Sequence, residues 1–251
     1  MSGAAPRLPP AYRLISLDSV GSTNDEARRL AAAGAEDGTL VWAREQSSGR
    51  GRRGRVWASP AGNLYLSLVL RPDCAPGEAA QLSFVAALAV GATCGGLVPP
   101  LVDLHYKWPN DVLLGGRKVS GILLESESDP AGRLAWLVLG VGINVAGAPE
   151  GTEFPATSLR DEGAGDLPVE PVLEAFARHF LAWTDRWLAD GFAPVRAGWK
   201  RRAWRLGEEI RARLSNEELR GRFDDLDETG ALVLETAAGR RRVTAGEVFG
   251  V

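Results

Sequence analysis

The sequence predicts an α+β fold: a mixed β-sheet packed with helices, followed by a small C-terminal β-barrel. Strand-length apolar runs bounded by Gly, Pro and Asn recur through the first 145 residues, with helical stretches between them. Leu173, Phe176, Phe180, Trp183 and Trp187 recur at helical spacing within residues 169–189, an amphipathic helix suited to cover a sheet. Near Arg205 the composition shifts, and roughly 45 residues of short alternating strands follow.

In chain order, residues 12–20 form a first strand. Ser22-Thr23-Asn24-Asp25-Glu26 opens a helix that runs to Ala33 and stops at Gly34, with capping-box spacing between Thr23 and Glu26. Residues 39–43 and 64–70 are strands, and 78–94 a buried helix. Residues 105–108 make a brief strand ended by Pro109-Asn110-Asp111, and Gly115-Gly116 turns a hairpin between residues 112–114 and 118–125. A strand over 134–145, a Gly/Pro/acidic loop over 146–167 and the helix over 169–189 complete the body. The barrel strands are 210–214, 219–226, 231–235 and 241–248. The domains are therefore expected at 1–204 and 205–251.

The bulk properties narrow the function classes. The 251 residues hold 45% apolar and 24% charged residues with a net charge of −3, an ordinary globular balance that is not basic like a general nucleic-acid binder. Two cysteines make no disulfide framework, and no Cys or His pair has zinc spacing, so a cytoplasmic home is expected. The first ten residues lack the apolar core of a signal peptide. Residues 82–98 are apolar, but Ser83, Thr93 and Gly95-Gly96 interrupt them, which favours a core helix over a membrane span.

Four arginines alternate with glycines in Gly49-Arg50-Gly51-Arg52-Arg53-Gly54-Arg55, a stretch built to meet an anion. Gly49, Gly51 and Gly54 also fit the dinucleotide pattern G-x-G-x-x-G. That pattern needs a helix after the loop, whereas Pro60 and Gly62 lead here into the strand Leu64 to Leu70. The remaining readings are a surface or RNA-binding Arg/Gly loop and a mobile flap that closes on a bound anion. Lys107-Trp108-Pro109-Asn110-Asp111 is either a turn that caps the next strand or a polar site. Lys118, just past the Gly-Gly turn, is either a solubilising edge residue or a cation aimed at developing charge. Gly140-Val141-Gly142-Ile143-Asn144 marks a bulge or a close backbone approach, and Ser22, Thr23 and Asn24 suit a helix N-terminus in any case.

Taken together and in this order, these stretches resemble the biotin protein ligases, the holocarboxylase synthetase family. The resemblance rests on Gly21-Ser22-Thr23-Asn24, Gln46 through Arg55 with Trp57, Gly62-Asn63-Leu64-Tyr65-Leu66-Ser67, Lys107 to Asp111, Arg117-Lys118-Val119-Ser120-Gly121-Ile122-Leu123 and Gly140 to Asn144. It implies a catalytic domain like that of class II aminoacyl-tRNA synthetases and an SH3-like C-terminal barrel. It further implies that Ser22, Thr23, Asn24 and Gln46 hold the ureido ring of biotin. Arg50, Gly51 and Arg52 would belong to a flap over biotin and its adenylate, with Arg50, Arg52 and Lys118 as the catalytic cations. Lys118 would sit near the biotin carboxylate and the α-phosphate, and Gly121, Gly140 and Gly142 would let the ligand approach. Arg55, Trp57, Asn110, Asp111 and Asn144 would serve the ATP half.

The implied reaction uses biotin and ATP with Mg²⁺ and modifies a lysine of a biotin carboxyl carrier domain. Neither DNA nor membrane is an expected partner. Only about a dozen residues precede the first strand, so the DNA-binding winged helix of many bacterial members is expected to be absent. Monomer and homodimer both stay open. A lipoate or octanoate transferase of the same fold and an Arg/Gly nucleic-acid binder are the alternatives.

Overall fold

A computed structural model describes residues 5–251 and places twelve strands and five helices in two sheets with their covering layers. The larger sheet contains β1 (Arg13–Val20), β2 (Thr39–Gln46), β3 (Leu64–Leu70), β4 (Leu104–Lys107), β5 (Asp111–Leu114), β6 (Arg117–Ser128) and β7 (Leu134–Ile143). Its order is β1-β2-β3-β7-β6-β5-β4. Only β1 and β2 run parallel, so the sheet is mixed, as the sequence predicts. The helix α1 (Thr23–Ala32) crosses between those two strands and lies on one face, where Ala27 and Ala31 pack on Val41, Val69, Trp136 and Val138.

The opposite face carries α2 (Pro76–Ala79), α3 (Leu82–Gly95), α4 (Val169–Asp190) and α5 (Phe192–Lys200). The chain over Pro76–Gly95 is long and apolar enough to cross a membrane by composition alone. Phe84, Val85, Leu88 and Val90 are instead buried, because α3 is sandwiched between the sheet and α4 with α5. Each such side chain removed from water stabilises the fold by about 1.5–3 kcal/mol, which accounts for an all-round apolar helix in a core.

The C-terminal domain is an antiparallel sheet of β8 (Glu209–Arg213), β9 (Glu218–Leu226), β10 (Leu232–Thr236), β11 (Gly239–Val243) and β12 (Glu247–Gly250), ordered β11-β10-β9-β8-β12. It docks on the larger domain by directed contacts. Trp108 Nε1 donates to Gly230 O at 3.1 Å, and Asp225 pairs with Arg196 at 2.8 Å and Lys200 at 2.5 Å.

Four local expectations change. The helix cap is Ser22, whose Oγ accepts from Asp25 N, while the Thr23 hydroxyl turns into the fold. The helix expected over 78–94 is broken at Ala80-Gln81 into α2 and α3. The strand expected over 241–248 is two strands, because residues 244–246 bend and send β12 across to β8. Finally, α5 has no counterpart among the predicted elements.

Candidate active site

The α1 face of the sheet has a gap, and alternation along the strands makes it. Period-two geometry sends Val138, Gly140 and Gly142 of β7 to one face. Opposite them in register stand Tyr65, Ser67 and Val69 of β3 and Gly121, Leu123 and Glu125 of β6. Val138 fills its place under α1, but Gly140 and Gly142 leave theirs open. A Cβ at Gly140 would lie 2.0 Å from Asn24 Oδ1, and one at Gly142 would lie 2.6 Å from the Trp57 indole. The glycines thus let Asn24 and Trp57 lie directly on the sheet. Above this floor is a cavity of about 440 Å³ lined by every predicted site residue: Ser22, Thr23, Asn24, Gln46, Arg50, Gly51, Arg52, Arg55, Trp57, Asn110, Asp111, Lys118, Gly121, Gly140, Gly142 and Asn144.

One end of the cavity presents neutral hydrogen-bonding side chains, backed by the Glu125 carboxylate. Gln46 Oε1 accepts from Thr23 N at 2.8 Å and Thr23 Oγ1 at 3.0 Å, and Gln46 Nε2 donates to Ser59 Oγ at 2.9 Å. Ser67 Oγ lies 2.8 Å from Thr23 Oγ1 and 2.5 Å from Asn24 Oδ1, and Asn24 Nδ2 donates to Glu125 Oε2 at 2.8 Å. Every group is held by another, so the donors and acceptors left over have fixed directions.

The other end is charged. Asp111 is buried between two lysines, with Lys118 Nζ 2.7 Å from Oδ1 and Lys107 Nζ 3.4 Å from Oδ2. Burial alone would raise the Asp111 carboxyl, but Lys118 and Lys107 outweigh it and hold it below the usual aspartate value. Lys107 is held below the usual lysine value, chiefly because burial desolvates it. Its Nζ lies 4.6 Å from the centre of the Phe154 ring, and Lys118 Nζ lies 5.3 Å from that of Trp57. Asn110 is locked by its side chain to Ile122 O, which fixes the turn after the cis Trp108–Pro109 peptide. Asn144 Nδ2 donates to Thr157 O at 3.0 Å, and its Oδ1 is buried without a partner among the described residues.

The arginine loop closes over both ends as a tight reversal. Gly51 N donates to Arg55 O at 2.7 Å, Trp57 N donates to Gly49 O at 2.9 Å, and Arg53 adopts φ 56°. Its arginines differ in their surroundings. Arg50 lines the cavity, yet its guanidinium is closed on Asp25 at 2.6 Å and Glu125 at 2.9 Å. Arg55 pairs with Glu247 at 2.7 Å and Glu153 at 3.3 Å. Arg52 has no ion-pair partner among the described residues. It reaches only neutral oxygens, Gly246 O at 3.2 Å and Asn110 Oδ1 at 3.4 Å, and burial lowers its pKa. Of the three loop arginines that line the cavity, Arg52 is therefore the one left unpaired to face an anion.

Sequence reasoning missed several lining or supporting residues. Ser67 and Glu125 follow from strand alternation once Gly140 is placed on the site face. Phe154, Glu247 and Phe249 come from an irregular loop and from the other domain, where no local pattern marks them.

Comparison with known proteins agrees with this architecture. Residues 8–201 match the biotin/lipoate A/B protein ligase family, and residues 206–250 match the biotin protein ligase C-terminal domain. The chain is 46% identical over 233 residues to the biotin–[acetyl-CoA-carboxylase] ligase of Paracoccus denitrificans, covering 91% of this chain and 96% of that one. The biotin protein ligase of Aquifex aeolicus, solved with biotin and ATP, superimposes with a TM-score of 0.81 at 30% identity over 94% of this chain and 97% of that one. The Leishmania major enzyme, solved with biotinyl-5-AMP, gives a TM-score of 0.63 at 28% identity over 94% and 100%. With both family domains matched in order along the chain and a ligase 46% identical across nearly its full length, the chain belongs to the biotin protein ligase family.

Proposed function

We infer that the protein activates biotin with ATP and transfers the biotinoyl group to a lysine of a biotin carboxyl carrier domain. The observation that carries this reading is the polarity of the cavity. Neutral hydrogen-bonding side chains suited to a cyclic urea lie at one end, and Lys118 with Arg52 lies at the other. In the first step the biotin carboxylate attacks the α-phosphorus of ATP, giving biotinoyl-5′-adenylate and pyrophosphate. The substrate carboxylate is the nucleophile, so the protein's share is to bring two anions together and offset charge at phosphorus. Lys118 and Arg52 supply that charge, and Asp111 holds Lys118 in direction. In the second step the carrier lysine amine attacks the anhydride carbonyl and AMP leaves. The arginine loop keeps water from the anhydride in the interval.

Ser22, Thr23, Asn24 and Gln46 take the ureido ring in this reading. Trp57, Asn110, Asn144 and the C-terminal side chains near Arg55 border the nucleotide, and the domain boundary lies at 204/205. Asp111 is committed to two lysines, and the described residues include no cluster of three or more His, Cys, Asp or Glu fit to hold a metal. In this reading Mg²⁺ enters as the counter-ion of ATP, a substrate complex.

The test is pyrophosphate release without acceptor, with biotin or lipoate as the acid. Release with biotin alone is expected, and release only with lipoate contradicts the reading. Lys118→Ala should slow single-turnover adenylation by about 10²–10³, the scale of removing one transition-state donor. An unchanged rate removes Lys118 from the mechanism.

A further inference from the structure

Resting on the ligase reading, we propose that Glu125 is a positioning residue with two tasks, clasping the arginine loop through Arg50 and fixing the amide of Asn24. One carboxylate thereby joins loop closure to recognition of the cyclic urea.

The placement follows from the strand. Glu125 lies two and four residues beyond Leu123 and Gly121 on the site face of β6, opposite Val138. Both of its oxygens are used. Arg50 Nη1 donates to Oε1 at 3.1 Å, and Arg50 Nη2 lies 3.2 Å from Oε1 and 2.9 Å from Oε2. Asp25, in the first turn of α1, takes the same Nη2 at 2.6 Å. Arg28 stands 3.8 Å from both carboxylates. The Arg50 side of the loop therefore hangs on a carboxylate pair formed by one helix and one strand. Burial acts to raise the Glu125 carboxyl, but hydrogen bonds from Asn24 and Arg50 prevail and hold it below the usual glutamate value.

Two consequences follow. With two carboxylates against it, Arg50 has little charge to offer a phosphate, which leaves that task to Arg52. The second consequence concerns Asn24. A carboxylate only accepts, so Asn24 must turn Nδ2 toward Glu125 and Oδ1 toward Ser67. A flipped amide would set oxygen against oxygen. The fixed orientation leaves a lone pair of Oδ1 for a ring N–H, the polarity a cyclic urea needs.

The experiment compares Glu125→Gln, Arg50→Gln and the double variant with the parent in three measurements. Trypsin cleavage within the loop reads the clasp without any catalysis, since Arg52, Arg53 and Arg55 remain as cutting sites. Release of preformed adenylate reads retention, and KM for biotin against KM for ATP reads the amide. Either single variant should raise cleavage and release about tenfold, the scale of losing a charge-assisted hydrogen bond. The double variant should add little, because both substitutions cut one link. Glu125→Gln should raise KM for biotin and leave that for ATP near the parent's, and Glu125→Asp should recover part of the loss. Parental cleavage in both singles, or additive effects in the double, overturns the clasp. An unchanged KM for biotin in Glu125→Gln overturns the tie to Asn24. If biotin is not the substrate, the parent releases no pyrophosphate with it, and the cleavage result stands independently.

Discussion

Replacing Asp111 by Asn should destabilise the protein in a way that depends on alkaline pH. The substitution keeps the shape and removes the charge on which Lys118 and Lys107 converge at 2.7 and 3.4 Å. With an effective dielectric of 20, the attraction lost is about 6 and about 5 kcal/mol respectively. Release of the buried carboxylate from its desolvation penalty offsets much of this. The net cost of leaving a buried charge unpaired is then about 3–5 kcal/mol. Lys107, only 4% exposed, bears most of it. Burial already depresses its pKa and Asp111 is the main opposing influence, so the variant depresses it further. The sign is fixed by linkage: between the folded and unfolded lysine values the unfolded chain binds more protons, so stability rises with pH. Urea unfolding near neutrality should show the full deficit, and unfolding at a pH just below the ordinary lysine value should show a smaller one. A deficit that is absent, or equal at both pH values, refutes the account of Lys107 as an ammonium held by Asp111.

Two further outcomes are expected. Gly140→Ala puts a Cβ 2.0 Å from Asn24 Oδ1, so the amide must move. Thermal unfolding should show a loss of about 1–3 kcal/mol for overpacking, and steady-state kinetics a raised KM for biotin, whereas an unchanged KM contradicts the packing. In acid, Asp111 and Glu247 are held below their ordinary values by cationic partners that outweigh burial, and Glu125 by the Asn24 amide together with Arg50. Their contribution is complete above the unfolded carboxylate values and disappears as pH falls through the lower folded ones. Burial holds His179 below the usual histidine value, so a first small loss begins at about pH 6. The carboxylates add a further decline of the urea midpoint below about pH 5, and a midpoint that falls no further below about pH 5 would count against these pairs.

The chemistry was more legible in the chain than its supports. Gly, Pro and Arg mark the loops because they act locally, through φ, a missing N–H or an exposed charge. The strands 64–70 and 134–145 and the helix over 169–189 were readable from periodicity for the same reason. Helix α5 escaped because Pro194 and Gly198 look like breakers. Pro194 in fact sits in the first turn, where its missing N–H costs nothing. Gly198 sits where a Cβ would come within 3.3 Å of Trp183 and 3.4 Å of Leu88. The differing duties of the arginines were invisible for a deeper reason. Arg50, Arg52 and Arg55 are alike in sequence, and only the acids brought to them by α1, β6 and β12 tell them apart.

The arginine loop is tied down on both sides of a domain junction, at Glu125 in the large domain and at Gly246 and Glu247 in the small one. The two domains are thus a single inheritance. A chimera given another member's C-terminal domain would keep every residue of the cavity floor, yet would receive foreign anchorage for Arg52 and Arg55. Drift at the edge of β12 is, in effect, drift in the lid.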